Sequence, residues 1–134
     1  MSMEKTVLIT GVSSGLGFGL AKYYLNEGTR VLGCSRREVP ELEDSYGAQF
    51  QHLAVDLADL GTAPQKISEF LGACENIDLA VLNAGILGGI SDMRDTPLET
   101  LKQIMEVNLW SNKWLLDQLL GRNPPPKQIV AISS

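Results

Sequence analysis

Thr6-Val7-Leu8-Ile9-Thr10-Gly11-Val12-Ser13-Ser14-Gly15-Leu16-Gly17 is a short apolar run that breaks into glycines and then into helix-period sequence. The unbroken apolar character of Thr6–Thr10 predicts a strand covered on both faces. From residue 16 to 27, Leu16, Leu20 and Tyr23/Tyr24 approach the i, i+4, i+7/8 spacing of an amphipathic helix, and Gly28 is placed to end it. Glycines at such a strand-to-helix turn let backbone approach a ligand closely and aim the helix's unpaired N–H groups at an anion. A pyrophosphate suits that position, because the helix N-terminus adds a partial positive charge.

Outward from this turn the same alternation continues. Strands are predicted at 29–34, 50–55, 77–82 and 128–133, all short and apolar. Between them, Ile67, Phe70, Leu71 and Cys74 make a helical stripe over 64–75. Thr96-Pro97-Leu98-Glu99 has capping-box spacing with proline at the first helical position, and opens a helix reaching Leu120 and Gly121. Asn123-Pro124-Pro125-Pro126 cannot extend it. Repeated strand–helix–strand units imply right-handed crossovers and a parallel sheet with helices on both sides. The expected fold is therefore α/β, a doubly wound parallel sheet of five strands, with residues 1–134 as one domain.

Composition narrows the function. The 134 residues carry 11 Lys and Arg against 16 Asp and Glu, a net charge of −5, which argues against a nucleic-acid partner. The hydrophobic share of 44% is too high for a disordered acidic chain. No run of 18 apolar residues occurs, and Met1 to Thr6 lead into the first strand without a signal-type segment, so a cytoplasmic protein away from membranes is expected. Cys34 and Cys74 match no metal spacing and are read as reduced packing residues; no metal site is expected. The single histidine, His52, is read as a half-exposed strand residue. Gly11-Val12-Ser13-Ser14-Gly15 also fits the Gly-x-Ser-x-Gly elbow of hydrolases, with Ser13 as nucleophile. That chemistry needs an acid and then a histidine downstream, whereas His52 precedes most of the sheet.

The order of the remaining motifs carries more. After the glycine turn come Asp56-Leu57 behind the third strand and Asn83-Ala84-Gly85 behind the fourth. Asn108 follows within the long helix, then Ile132-Ser133-Ser134 behind the fifth strand. In this order and at these strand ends, the chain resembles the short-chain dehydrogenase/reductase family over its whole length, which implies a Rossmann fold with strands in the order 3-2-1-4-5 and a sheet incomplete at its C-terminal side. The resemblance implies that Gly11, Gly15 and Gly17 cradle the pyrophosphate of a nicotinamide dinucleotide. Ser13 and Ser14 would lie in the same loop, and the Leu16 N–H would be a donor. It implies that Asp56 accepts from the adenine amino group while the Leu57 N–H meets the ring edge. Asn83, Ala84 and Gly85 would pass beneath the adenine-side ribose; the family usually has a second asparagine where this chain has Leu82. Ser134 aligns with the serine that hydrogen-bonds the substrate oxygen, and Asn108 with the helix asparagine that orders the proton relay.

Cofactor choice rests on the end of the second strand. Ser35 stands where NAD-preferring relatives carry Asp, and Arg36 and Arg37 follow. A guanidinium can bond two phosphate oxygens at once, so NADP(H) is expected, with NAD(H) as the alternative. Ser14 stands where NADP-preferring relatives often add a basic residue. The family's Tyr-x-x-x-Lys pair is absent: Tyr23, Tyr24 and Tyr46 are followed four residues on by Glu27, Gly28 and Phe50. Two readings remain. Either the chain is part of a longer reductase of a carbonyl or secondary alcohol, or it is a non-catalytic dinucleotide-binding or redox-sensing module. The 97–120 helix has apolar residues on more than one face, and Trp110 or Trp114 is expected to bury against a second subunit in a homo-oligomer.

Overall fold

The computed structural model describes residues 5–57, 59–83 and 94–132. Five parallel strands, β1 (Thr6–Thr10), β2 (Arg30–Ser35), β3 (Phe50–Ala54), β4 (Leu79–Leu82) and β5 (Gln128–Ala131), form one sheet in the order β3-β2-β1-β4-β5. Between them run α1 (Gly15–Asn26), α2 (Pro40–Tyr46), α3 (Ala63–Gly72) and α4 (Leu98–Leu120). A 3-10 turn at Gly47–Gln49 leads into β3.

Successive strand residues face opposite sides, so each strand feeds two cores. Val7, Ile9, Val31 and Val81 pack with Ala21 and Leu25 of α1 and Leu42 of α2. On the other side, Leu8, Leu32, Ala80 and Leu82 meet Ala63, Ile67 and Leu71 of α3 and Leu115 and Leu119 of α4. Right-handed crossovers account for this division. Connections running from β1 out to β3 place their helices on one face, and those running back through β4 to β5 place theirs on the other. Leu8, Ile9, Leu32 and Ile67 are fully buried, each stabilising the fold by about 1.5–3 kcal/mol.

Polar anchors set the strand starts. The Asp78 carboxylate accepts the Thr6 N–H at 2.8 Å and lies 3.4 Å from Lys127 Nζ, while its backbone exchanges hydrogen bonds with Thr6 and Gln128. Arg122 closes the end of α3, its guanidinium donating to the carbonyls of Leu71 at 2.9 Å and Cys74 at 2.5 Å. Leu71 lies in the last turn of α3 and Cys74 two residues past its end, so the guanidinium ties the helix end to the loop that follows.

Several sequence expectations need correction. The strands are not all covered on both faces: β1 and β2 are buried, whereas β3 and β5 are largely half-buried or exposed, because each lies at an end of the sheet. Helix α2 has no counterpart in the sequence reading, since in seven residues it offers only Leu42 as a buried apolar contact. The long helix begins one residue later than expected, with Pro97 and not Thr96 at its N-cap. Residues 84–93, 133 and 134 lie outside the described residues, as do the Ala84, Gly85 and Ser134 assignments.

The cysteines are free and buried, as read. Burial pushes the Cys34 thiol up to about 12, so it stays protonated at neutral pH, and the thiolate is the reactive form. A disulfide reagent added to the native protein at pH 7.5 is expected to leave Cys34 unmodified until denaturant is added. Labelling of Cys34 in the folded protein, read by peptide mass, would contradict its placement in the core.

Candidate functional site

In a doubly wound sheet, ligands bind beyond the carboxyl ends of the strands where the strand order reverses. Here that reversal falls between β1 and β4, bringing the residues after Thr10 beside Asn83. The two strand ends are joined by a hydrogen bond from the Asn83 N–H to Thr10 Oγ1 at 2.9 Å, with Thr10 fully buried. The turn itself is held down on β2, where the Gly11 and Val12 N–H groups donate to the Cys34 carbonyl at 2.8 and 3.3 Å.

Two glycines of the turn are there for different reasons. Gly11 has φ +74°, a backbone conformation that side chains disfavour. Gly17 has ordinary helical geometry but no room: a Cβ there would overlap the Gly11 carbonyl oxygen and lie 2.6 Å from Asn83 Nδ2. The missing side chain lets the first turn of α1 rest directly on the end of β1. Ser14 is the N-cap of α1 but makes no side-chain capping bond, and the first turn holds no acidic residue. No capping side chain therefore occupies the amides of that turn, as anion binding requires. Ser13 is half-buried, Ser14 and Gly15 are exposed, and the Leu16 side chain is 55% exposed at the rim.

At the end of β2, Ser35 is buried and its hydroxyl is engaged within the protein. It donates to the Arg37 carbonyl oxygen at 2.6 Å and lies 2.6 Å from His52 Nε2 on β3. This folds residues 35–37 into a tight turn from which the exposed Arg36 and Arg37 leave the sheet. Ser35 thus shapes this corner through the backbone, its side chain already having protein partners. His52 lies on β3 and is half-buried as a residue, as expected, but its side chain is only 2% exposed. The sequence held no sign of this, because its partners Ser35 and Glu38 lie on another strand and the loop beyond it.

Behind β3, Asp56 is exposed and Leu57 half-buried. Side-chain bonds in the following turn come from Asp59, which accepts from the Gly61 N–H and from Thr62 Oγ1. The Leu57 carbonyl accepts from Ser111 Oγ at 2.7 Å, a bond that ties this turn to α4. Ser111, buried one turn beyond Asn108, was not picked out from sequence, because α4 carries several other polar residues and nothing in the pattern separates it from them. Asn108 is half-buried in α4. On the same helix, Trp114 packs against the core beside Leu115 and Leu119, whereas Leu98, Met105, Leu109 and Trp110 are exposed. Of the two tryptophans expected to face a second subunit, only Trp110 is placed to do so. No helix among the described residues is long and apolar enough to cross a membrane.

Sheet order, crossover helices and the crevice at the reversal define a Rossmann-type α/β fold. The model of the short chain dehydrogenase family matches residues 5–134, and the chain belongs to that family of oxidoreductases, which bind nicotinamide dinucleotides. It is 34% identical over 143 residues to dehydrogenase/reductase SDR family member 7B of Rattus norvegicus, covering 96% of this chain and 43% of the relative. It is 29% identical over 109 residues to serine 3-dehydrogenase of Rhizobium radiobacter, covering 80% and 44%. Among solved structures, a short-chain dehydrogenase from Streptomyces avermitilis superposes with a TM-score of 0.83 at 26% identity, covering 99% of this chain and 50% of that one. ElxO with NADP bound superposes with a TM-score of 0.74 at 25% identity, covering 98% and 56%. The chain spans about half the length of the relatives it matches.

Proposed function

We propose that residues 1–134 supply the cofactor-binding part of an NADP(H)-dependent oxidoreductase acting on a carbonyl or secondary alcohol. The observation that carries this reading is the cradle of Gly11, Gly17 and Asn83 at the sheet's reversal, where a Cβ on Gly17 would fill the space and the first turn of α1 lacks a capping side chain. NADP(H), when bound, supplies or accepts the hydride. The chain's own residues hold it. Amides of Gly15 to Gly17 bind the pyrophosphate with Leu16 over it, and Asp56 and Leu57 take the adenine. Asn83, Ala84 and Gly85 lie under the adjacent ribose.

Arg36 and Arg37 take the 2′-phosphate, supported by the turn that Ser35 closes. A carboxylate in place of Ser35 would repel that phosphate, and none is present there. In the reaction, Ser134 hydrogen-bonds the substrate oxygen and Asn108 holds the water that carries protons away from it. Residues 1–134 contain no tyrosine with a lysine four positions on, so the proton donor has no assignment within them. The exposed apolar face of α4, with Leu109 and Trp110 at its centre, is the surface through which two copies pair in a homo-oligomer.

The test is a fluorescence titration with each reduced nucleotide. NADPH is expected to bind saturably and at least about ten times more tightly than NADH, the low end of what one charge-assisted contact supplies. Equal affinities would remove the 2′-phosphate assignment, and binding of neither nucleotide would remove the whole reading.

A further inference from the structure

We propose that Glu38, Glu43 and His52 form a binding site for a divalent transition-metal ion of the zinc class, between the loop after β2, helix α2 and strand β3. One ligand atom from each residue lies within 4.8 Å of the other two.

The proton inventory at Ser35 gives this cluster its meaning. A serine hydroxyl has a single hydrogen, and Ser35 gives it to the Arg37 carbonyl oxygen. The 2.6 Å contact with His52 Nε2 must then be donated by the ring. That places the histidine's hydrogen on Nε2 and leaves Nδ1 as a bare lone pair. Nδ1 belongs to a side chain that is 2% exposed, and it makes no hydrogen bond of good geometry, its nearest partner being Glu38. It points at Glu38 Oε2, 3.5 Å away. A lone pair facing a carboxylate oxygen is repulsive unless a proton or a metal ion lies between them.

The surroundings agree with a cation. The Ser35 hydroxyl fixes the ring from behind, the outer-shell arrangement by which metal-bound histidines are held.

One imidazole nitrogen and two carboxylate oxygens suit zinc, with water as the fourth ligand. They suit calcium or magnesium poorly, since those ions favour oxygen throughout. Glu38 is 62% exposed, so its carboxylate can swing the last distance onto the ion, which enters from solvent. Bound there, the metal would clamp the loop after Arg37 onto β3. The site adjoins the Ser35–Arg37 turn and shares Ser35 with it, but zinc binding is read without nucleotide.

Calorimetric titration of zinc into the full chain is expected to show one ion per molecule. Cobalt should give only weak visible bands, without the intense thiolate absorption that Cys34 or Cys74 would produce. Glu38→Gln, at an exposed position that leaves the fold intact, and His52→Gln should each weaken binding by at least about tenfold. Ser35→Ala, which frees the ring, should weaken it by about 10- to 100-fold. Absence of stoichiometric binding in the wild type would overturn the proposal, with His52 and Glu38 then sharing a proton as a plain ion pair. So would zinc binding of undiminished affinity in Glu38→Gln.

Discussion

Gly17→Ala is expected to destabilise the protein by about 3 kcal/mol or more, the upper end for forcing extra atoms into a packed region. On an exposed helix the same change helps by about 1 kcal/mol, through alanine's better helix propensity. At Gly17 the added methyl group would overlap the Gly11 carbonyl oxygen and crowd Asn83 Nδ2. The first obstacle is backbone, which cannot rotate aside as a side chain can. Relief requires α1 to lift from the end of β1, which also withdraws the amides of its first turn from the crevice. Two readouts should therefore fall together: the urea midpoint of unfolding and the affinity for NADPH. Gly19 provides the control. It lies in the same helix with nothing within 4 Å of its Cβ position, so Gly19→Ala should raise stability by about 0.5–1 kcal/mol. If Gly17→Ala matches wild type in both measurements, the close approach of α1 to β1 is wrong.

Arg36→Ala is expected to weaken NADPH binding by about tenfold while changing NADH binding less than about twofold. A charge-assisted bond to phosphate contributes about 1.5–3 kcal/mol. Arg36 is exposed, so the low end applies, and the loss should shrink as salt rises, because the Debye length is about 8 Å at physiological ionic strength. Replacing Arg37 as well should deepen the loss for NADPH alone. Equal weakening of both nucleotides by Arg36→Ala would place its guanidinium elsewhere than on the 2′-phosphate.

The fold was legible because its determinants are local. Thr6–Thr10 is apolar at every central position, and Gly11, Gly15 and Gly17 punctuate the turn at spacings that few other structures need. The strand order came from the resemblance and from crossover handedness, and the sheet matches it. Helix α2 was illegible because seven residues give hydrophobic periodicity too little length to emerge. In the crevice, the glycines and Asn83 could be placed because each sits at a strand end, and strand ends are readable. The Ser35–His52 and Ser111–Leu57 bonds could not, since they join residues 17 and 54 positions apart with no pattern in between. Trp110 and Trp114 show the same limit: four residues apart on one helix, they look alike in sequence, and only the packing of α4 against the sheet separates the exposed ring from the covered one.

The carboxylate of Asp78 that receives the Thr6 amide lies 72 positions farther along the chain. On a ribosome adding about 5–20 residues per second, that interval lasts about 4–14 seconds. Once β2 has been made, the nascent β1 can pair with it on one side while its other edge, at Val7, Leu8 and Ile9, awaits β4. An uncovered apolar strand edge is a template for pairing with other chains. Biosynthesis of this protein therefore passes through a stage in which a central strand of its sheet has one edge open to other chains.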